Sequence, residues 1–363
     1  MESRYKVITN ELELLLRRMR AEGKTKLPSE MELAASFSCS RQTVRTALNT
    51  LAERGLIVKK NGSGSYLADD VPANKQIFFI TADADRYRTP ELISGLRNRL
   101  ASEGYELKVC VTGGSTISEA SAYESAIIER PAVVIAEPLC DLLPDPNAGL
   151  PEKLISSGIP VIRYNSTYVQ SAHAGSMHAE STHARSGTVS VSFSNFAGGK
   201  SLTGKLLAKG FRKIACIFRL DSSAGTDRYH GYMDAIKDAG IVFDESRCLL
   251  LSCREERDIA SGKALLLPEF IDSVLSGCDA VICQNGMLAH SLIALFSKCG
   301  LSVPGDITVA CFDSSYYPPH TLPVISYEYN NDLLCRKLAR TALTLAAGGT
   351  ASDVVIPLDL SGM

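Results

Sequence analysis

No stretch of this 363-residue chain approaches the run of about 18 apolar residues that crossing a bilayer requires. The opening residues, MESRYKVITNELELLLRRMR, carry Glu2, Glu11 and Glu13 and hold no apolar core before a small-residue cleavage site. They do not read as a secretory signal, and the expected compartment is the cytosol. The 11 cysteines contain no C-x-x-C pair, and several sit in apolar runs such as IACIF and VICQ, where cysteine behaves as a small hydrophobe. Neither a disulfide nor a structural metal is expected from that spacing. Net charge is scarce too, at −2, but it is unevenly spread. Residues 1–70 hold 12 Lys and Arg against 9 Asp and Glu, a net of +3, and the remainder carries −5. A small basic head on an acidic body is the asymmetry expected if the head alone meets phosphate.

What is present supports sizeable cores: 45% of residues are hydrophobic and 21% charged. In the head, Val7, Ile8, Leu12, Leu15, Leu16 and Met19 fall at helical spacing. Ser29 with Glu32 three residues later predicts a capping box opening a short second helix, with Leu33, Ala34 and Phe37 inward. Ser40 is placed to cap a third helix from about Arg41 to Arg54, with Val44, Ala47, Leu48 and Leu51 as its buried stripe and Gly55 as its left-handed stop. Arg41, Gln42, Arg45 and Asn49 fall on the opposite side. Leu56–Lys60, the turn Asn61–Gly64 and Ser65–Leu67 read as a basic hairpin. Two short helices, the second with Arg and Gln near its start, match a helix-turn-helix and its recognition helix, because those side chains fit guanine and adenine edges.

Pro28-Ser29-Glu30, Leu33-Ala34, Ser40-Arg41-Gln42-Thr43-Val44-Arg45, Ala47-Leu48, Leu51, Gly55-Leu56-Ile57 and Gly62-Ser63-Gly64-Ser65-Tyr66 together resemble the GntR-family winged helix over residues 4–68. The resemblance implies that Ser29, Glu30, Arg41, Thr43, Arg45 and the wing glycines Gly62 and Gly64 contact DNA or shape the contacting surface; Gln42 and Ser63 join them as candidates. Taken singly, Arg41 or Arg45 would read as decoration on a solvated helix face.

Asp69–Asn74 is a short polar linker, and apolar strand-like runs then alternate with helical stretches. The runs are Gln76–Thr81, Leu107–Val111, Ala132–Ala136, Pro160–Tyr164, Val189–Phe193, Lys213–Phe218, Cys248–Leu251, Ala280–Cys283, Thr308–Phe312 and Val354–Leu358, with a helix over Pro90–Leu100 after the first. Near-continuous apolar strands separated by helices predict parallel sheets covered on both faces, in two lobes for a segment of this length. The fold class expected is α/β: a winged helix-turn-helix at 1–70, a linker at 71–75 and a two-lobed periplasmic-binding-protein-like domain at 76–363.

The segments Gly210–Ala215, Asp227–Tyr232, Asp279–Asn285, Gly300–Ile307, Phe312-Asp313 and Leu322–Ile325 resemble the LacI/GalR-type effector domain, more loosely than the head resembles its family. A GntR-type head on a LacI-type body is the arrangement of AraR-type arabinose repressors. The resemblance implies that Arg228, Asn285 and Asp313 hold ligand hydroxyls, with Asn165 where the family often has Asp. The loop Thr81–Arg88 should line the cleft, with Asp83, Tyr87 and Arg88 as candidates. Each has a plainer alternative: Asp313 capping the turn after its strand, Arg228 pairing with Asp227 or Asp221. Gly286 follows Asn285 where the family commonly has Asp, so the hydrogen-bond set differs and the sugar stays open.

Two features are set aside. Gly198-Gly199-Lys200-Ser201 looks like the end of a phosphate-binding loop, but the pattern's earlier glycine is Ser194, and a helix start explains it better. His173, His178 and His183, five apart, do not share a helix face; a flexible insertion over 171–187 is the better account.

The expected function is a ligand-responsive repressor without cofactor or membrane partner. It would bind operator DNA as a homodimer or higher oligomer and be released by arabinose or a related monosaccharide. Activation or co-repression by the sugar is the near alternative. A pyridoxal-dependent enzyme fused to a winged helix is the distant one, for which no Schiff-base lysine motif is found.

Overall fold

A computed structural model describes residues 4–21, 24–60, 62–68, 74–85, 88–142, 145–166, 188–263, 268–313 and 323–357. The candidate Tyr87, the segment 171–187 with its histidines and most of the expected linker lie outside the described residues.

The head is α1 (Arg4–Ala21), α2 (Glu30–Ser36), α3 (Arg41–Glu53), β1 (Ile57–Lys60) and β2 (Gly64–Leu67). Ile8, Leu12, Leu16 and Met19 of α1 pack on Val44, Ala47, Leu48 and Leu51 of α3, each buried to 5% exposure or less. Val7, at the margin of the expected stripe, is 43% exposed. The expected caps form: Ser29 and Glu32 bond reciprocally, and Ser40 Oγ accepts the Thr43 N–H at 3.1 Å. β1 and β2 pair antiparallel from Ile57↔Leu67 to Lys60↔Gly64, and residues 25–27 bond to β2's other edge.

In the body, the first lobe holds β3 (Gln76–Thr81), α4 (Thr89–Ala101), β4 (Glu106–Val111), α5 (Thr116–Glu129), β5 (Val133–Ala136), α6 (Gly149–Ser156), β6 (Val161–Tyr164) and β7 (Thr188–Phe193). The second holds α7 (Asn195–Ala208), β8 (Ile214–Arg219), α8 (Ser223–Asp238), β9 (Cys248–Leu251), α9 (Cys253–Ala260), α10 (Pro268–Gly277), β10 (Ala280–Cys283), α11 (Gly286–Lys298), β11 (Thr308–Phe312) and β12 (Val324–Tyr327). The chain then returns to the first lobe as α12 (Asn331–Ala346), packed on α4, and β13 (Val354–Ile356), paired with β7. β12 was not among the expected strands; its Val-Ile-Ser-Tyr is only half-buried at the sheet edge, so it lacks the continuous apolar signature of the others.

Sheet orders are β13-β7-β6-β5-β3-β4 and β12-β11-β10-β8-β9, with every pairing parallel. Alternate residues of each strand enter opposite layers. Ile77 and Phe79 face α4 and α12, while Phe78 and Ile80 face α5 and α6; Cys216 and Phe218 face α8, while Ala215 and Ile217 face α10 and α11. Both faces being covered is why these strands read as unbroken apolar runs. No helix among the described residues is long and apolar enough to cross a membrane.

The order reverses between β3 and β5 in one lobe and between β8 and β10 in the other. In open α/β sheets those switch points are where strand ends splay and a crevice forms.

Candidate functional site

The head presents a cationic surface. Arg41, Gln42 and Arg45 are all exposed on the first turns of α3, while Thr43 is half-buried and its Oγ1 shares a 2.8 Å hydrogen bond with Ser40 Oγ, so it shapes the helix start. Ser29 caps α2 and Glu30 is its first residue. In the wing Gly62 and Gly64 adopt φ of 73° and 110°, a region open to glycine at no steric cost. Ser63 Oγ lies 2.5 Å from Tyr66 Oη, and Lys60 sits over the Tyr66 ring at 4.8 Å. Lys59 Nζ donates to Asn49 Oδ1 at 2.5 Å, tying wing to recognition helix.

Among the described residues, a carboxylate of the head is shared with the body. Glu13 of α1, 7% exposed, accepts from Arg54 Nη1 at 2.9 Å and from Arg130 Nη2, and Arg130 also donates to the Ser157 carbonyl at 2.8 Å. Arg130 ends α5 in a left-handed conformation, φ 53°.

Between the lobes is a cleft of about 580 Å3 at the C-terminal strand ends. From the first lobe it is lined by Thr81, Asp83, Arg88, Glu137, Tyr164 and Asn165, and from the second by Arg219, Arg228, Glu256, Arg257, Gln284 and Asn285. Arg228, 4% exposed, is the hub: its Nε donates to Asn195 Oδ1 (3.0 Å), Nη1 to the Gln284 carbonyl (2.6 Å) and Nη2 to Tyr329 Oη (3.1 Å). Its guanidinium lies 4.2 Å from the Phe312 ring centroid. The pairing with Asp227 or Asp221 considered from sequence does not form. Tyr329 Oη donates in turn to Asn195 Oδ1 at 2.9 Å, and its ring stacks on Phe193 at 4.1 Å. Burial pushes the Tyr164 and Tyr329 hydroxyls up, so both stay neutral.

The remaining candidates separate. Arg88 lines the cleft and lies over Phe193 at 4.9 Å, with Nη1 3.4 Å from Asp313 Oδ2. Asp313, wholly buried at φ 55°, stands behind Arg88 rather than on the cleft wall, and its Oδ1 accepts the Tyr329 N–H at 3.2 Å. Asp83 lines the cleft and accepts the Asp85 N–H at 2.9 Å. Asn285 caps α11 through Oδ1, and its Nδ2 donates to Glu256 Oε1 at 2.6 Å. Asn165, at φ 54°, donates to Glu137 Oε1 at 3.4 Å while its Oδ1 is buried without a partner among the described residues.

Sequence reasoning missed Glu137, Gln284, Glu256, Asn195 and Tyr329. The first two directly follow β5 and β10, so the residue after each apolar strand was the available signal.

The lobes also clasp each other. Asp141 of the first accepts the Ser223 N–H at 2.6 Å and Oγ at 2.7 Å, at the start of α8. Arg219 Nη2 donates to the Leu139 carbonyl, and Arg257 Nη1 to that of Gly113, both at 2.8 Å. Asp227, half-buried near Asp141, is pushed up to about 6 by desolvation and then by that neighbouring charge.

Residues 4–67 match the family of bacterial regulatory proteins, gntR family, and residues 203–360 match the periplasmic binding protein-like domain. An arabinose metabolism transcriptional repressor from Geobacillus stearothermophilus is 29% identical over 293 residues, 79% of this chain and 76% of that protein. Another, from Halalkalibacterium halodurans, is 24% identical over 325 residues, 87% and 82% of the two chains. Among solved structures, a periplasmic binding protein/LacI transcriptional regulator from Alkaliphilus metalliredigens QYMF, complexed with D-xylulofuranose, aligns with a TM-score of 0.63 at 17% identity, covering 78% of this chain and 96% of that one. That likeness shows the fold.

Proposed function

We propose that this chain, a GntR-family winged helix-turn-helix joined to a periplasmic binding protein-like body, is a transcription repressor that leaves its operator when a monosaccharide fills the cleft. One observation carries the reading: a single chain holds a recognition helix with exposed Arg41, Gln42 and Arg45 and a polar cleft built from the strand ends of two lobes. Two relatives that align over 79% and 87% of its length are arabinose metabolism repressors, which makes a pentose the first ligand class to test. We place the head at 1–70, the linker at 71–75 and the effector domain at 76–363, and assign the cleft no catalytic role. The protein works in the cytosol as a homodimer or higher oligomer, in which paired recognition helices meet half-sites about one helical turn or a multiple apart.

In this reading Arg41, Gln42 and Arg45 read bases. Ser29, Glu30, Thr43, Gly62, Ser63 and Gly64 shape or contact the backbone-facing surface. Asp83, Tyr87, Arg88, Asn165, Arg228, Asn285 and Asp313 form or brace the ligand site. Sugar favours the closed lobes, and closure alters the head through lobe one. Linkage then requires that DNA weaken sugar binding by the same factor that sugar weakens DNA binding, typically about 5–150-fold.

Fluorescence anisotropy with DNA from upstream of the gene, with and without pentoses, hexoses and their phosphates, tests this. Release by one sugar supports the proposal; operator binding that no sugar alters overturns the induction mechanism.

A further inference from the structure

One helix, α5, has its start beside the second lobe and its end against the head. At the start, Arg257 of the second lobe donates Nη1 to the Gly113 carbonyl at 2.8 Å, two residues before the Ser115 cap. Arg219, also of the second lobe, donates to the Leu139 carbonyl at 2.8 Å. The Leu139 N–H donates in turn to Glu119, buried in the first turn of α5, at 3.1 Å. Asn147 staples the same turn, with Nδ2 2.8 Å from both the Thr116 carbonyl and Glu119 Oε2. At the far end Arg130 bonds the Ser157 carbonyl and Glu13 of α1. There too Asn74, where the chain leaves the linker, donates to the carbonyls of Glu129 and Arg130 at 3.0 and 2.5 Å. The 14 residues between rise about 21 Å, with Tyr123 and Ala126 packed on the first sheet. A close-packed helix is hardly compressible, so a shift imposed at its start arrives at Arg130.

We infer that the Glu13–Arg130 pair is an autoinhibitory clasp: with the lobes closed, α5 brings Arg130 to the head's acid and holds the head in a posture unfit for the operator. This rests on the reading of the chain as a sugar-released repressor and names the contact that makes the release. The lobes touch in this structure, through Asp141 with Ser223 and through the two arginines, so the docked head belongs to the closed form. The clasp does not cover the DNA face, because Arg41, Gln42 and Arg45 stay exposed on the first turns of α3. It works at the other end of that helix, where Glu13 also accepts from Arg54, the residue that ends α3. The body thereby grips the recognition helix near its C-terminus. Two heads so gripped take their separation and direction from their bodies, not from the two half-sites. Opening the lobes draws Arg219 and Arg257 away from α5 and loosens the clasp. Each head then regains the freedom of its linker, and operator affinity rises with the fraction of free heads.

The test is operator binding by the full chain, with and without a saturating amount of whichever sugar among arabinose, xylose, ribose and galactose releases the parent. Arg130→Asn removes the guanidinium, and asparagine tolerates the left-handed position that ends α5. Glu13→Gln removes the charge from the other side. In sugar, each variant is expected to bind the operator about 5–10-fold more tightly than the parent. Without sugar each should change by less than about 2-fold, since open lobes leave little clasp to break. The double variant should gain no more than either single one, because both break one contact. Net charge alone gives another pattern: Glu13→Gln makes the protein more cationic and favours DNA, whereas Arg130→Asn makes it less so and disfavours DNA. Circular dichroism and calorimetric titration with the sugar report that each variant folds and fills its cleft. An Arg130→Asn protein that binds the operator in sugar no more tightly than the parent overturns the inference, while release of the parent keeps the repressor reading. Gains that add in the double variant overturn it as well. A parent that no sugar releases overturns the reading and the clasp with it.

Discussion

α7 and α8 cross at glycines, and replacing Gly199 with Ala sets two effects of opposite sign against each other. A Cβ on Gly199 would lie 2.1 Å from the Arg228 carbonyl oxygen, and one on Gly231 would lie 2.2 Å from that of Phe196, where ordinary contact begins at 3.4 Å. The obstacle is backbone in both cases, so no side chain can swing aside, and the helices must part by on the order of 1 Å. Overpacking of this kind costs about 1–3 kcal/mol. Alanine in a helix interior returns about 1 kcal/mol relative to glycine. Because the clash is against backbone, we expect the steric cost to win, by up to about 2 kcal/mol. Gly204, on the same helix with nothing within 4 Å of its Cβ position, supplies the control, since only propensity acts there. Urea denaturation should show Gly199→Ala lowering the midpoint and Gly204→Ala raising it, both with unchanged m. Parting the helices also draws Arg228 from the Gln284 carbonyl, 2.6 Å away, so Gly199→Ala should weaken sugar binding and Gly204→Ala should not. A Gly199→Ala protein as stable as Gly204→Ala would refute the crossing argument.

Arg228→Met removes three donors from buried acceptors, and leaving a buried acceptor unpaired costs about 1–3 kcal/mol. Chemical denaturation should show that loss in the body, with sugar response gone and operator binding kept. Asp227 has its carboxyl raised from 3.8 to about 6 in the folded state, so the native protein binds more protons than the unfolded one between those values. Stability contributed by the neutral form is therefore lost as pH rises through about 6, and Asp227→Asn should be the more stable protein at pH 8, with the difference shrinking toward pH 4 in urea titrations. Arg41→Ala and Arg45→Ala should each cost about 1–3 kcal/mol of operator binding and relax preference at one base position, read by anisotropy on operator variants. Lys60→Ala in the wing should instead weaken all sequences alike and reduce the salt slope by about 1.

The head was legible because the signals that mark its elements are local. Ser29 with Glu32, and Ser40 with Thr43, are three residues apart, and the α3 stripe closes within one helix. The body's strands were legible from burial on both faces, except β12, whose edge position leaves it half-buried. The cleft was legible only where a motif marked it, as at Arg228. Its partners Asn195, Gln284 and Tyr329 stand 33, 56 and 101 residues away, a convergence that no window of sequence displays. Gly199 sits in a GGKS context that mimics a nucleotide loop but was rightly read as a helix start, and the structure adds that another helix's backbone lies against that glycine. Asp313 carried a ligand motif and proves to brace Arg88 and Tyr329 from behind.

Glu13 entered the sequence reading only as a charge that spoils a signal peptide, yet in the folded chain it is shared between an arginine of the head and one of the body. A nearly buried carboxylate held by two guanidinium groups adds little net stability, but it fixes how its neighbours sit. The two halves are therefore not interchangeable parts. A foreign winged helix grafted onto this body without an acid at that place would leave Arg130 without its carboxylate and set two guanidinium groups against each other wherever the head kept an arginine like Arg54.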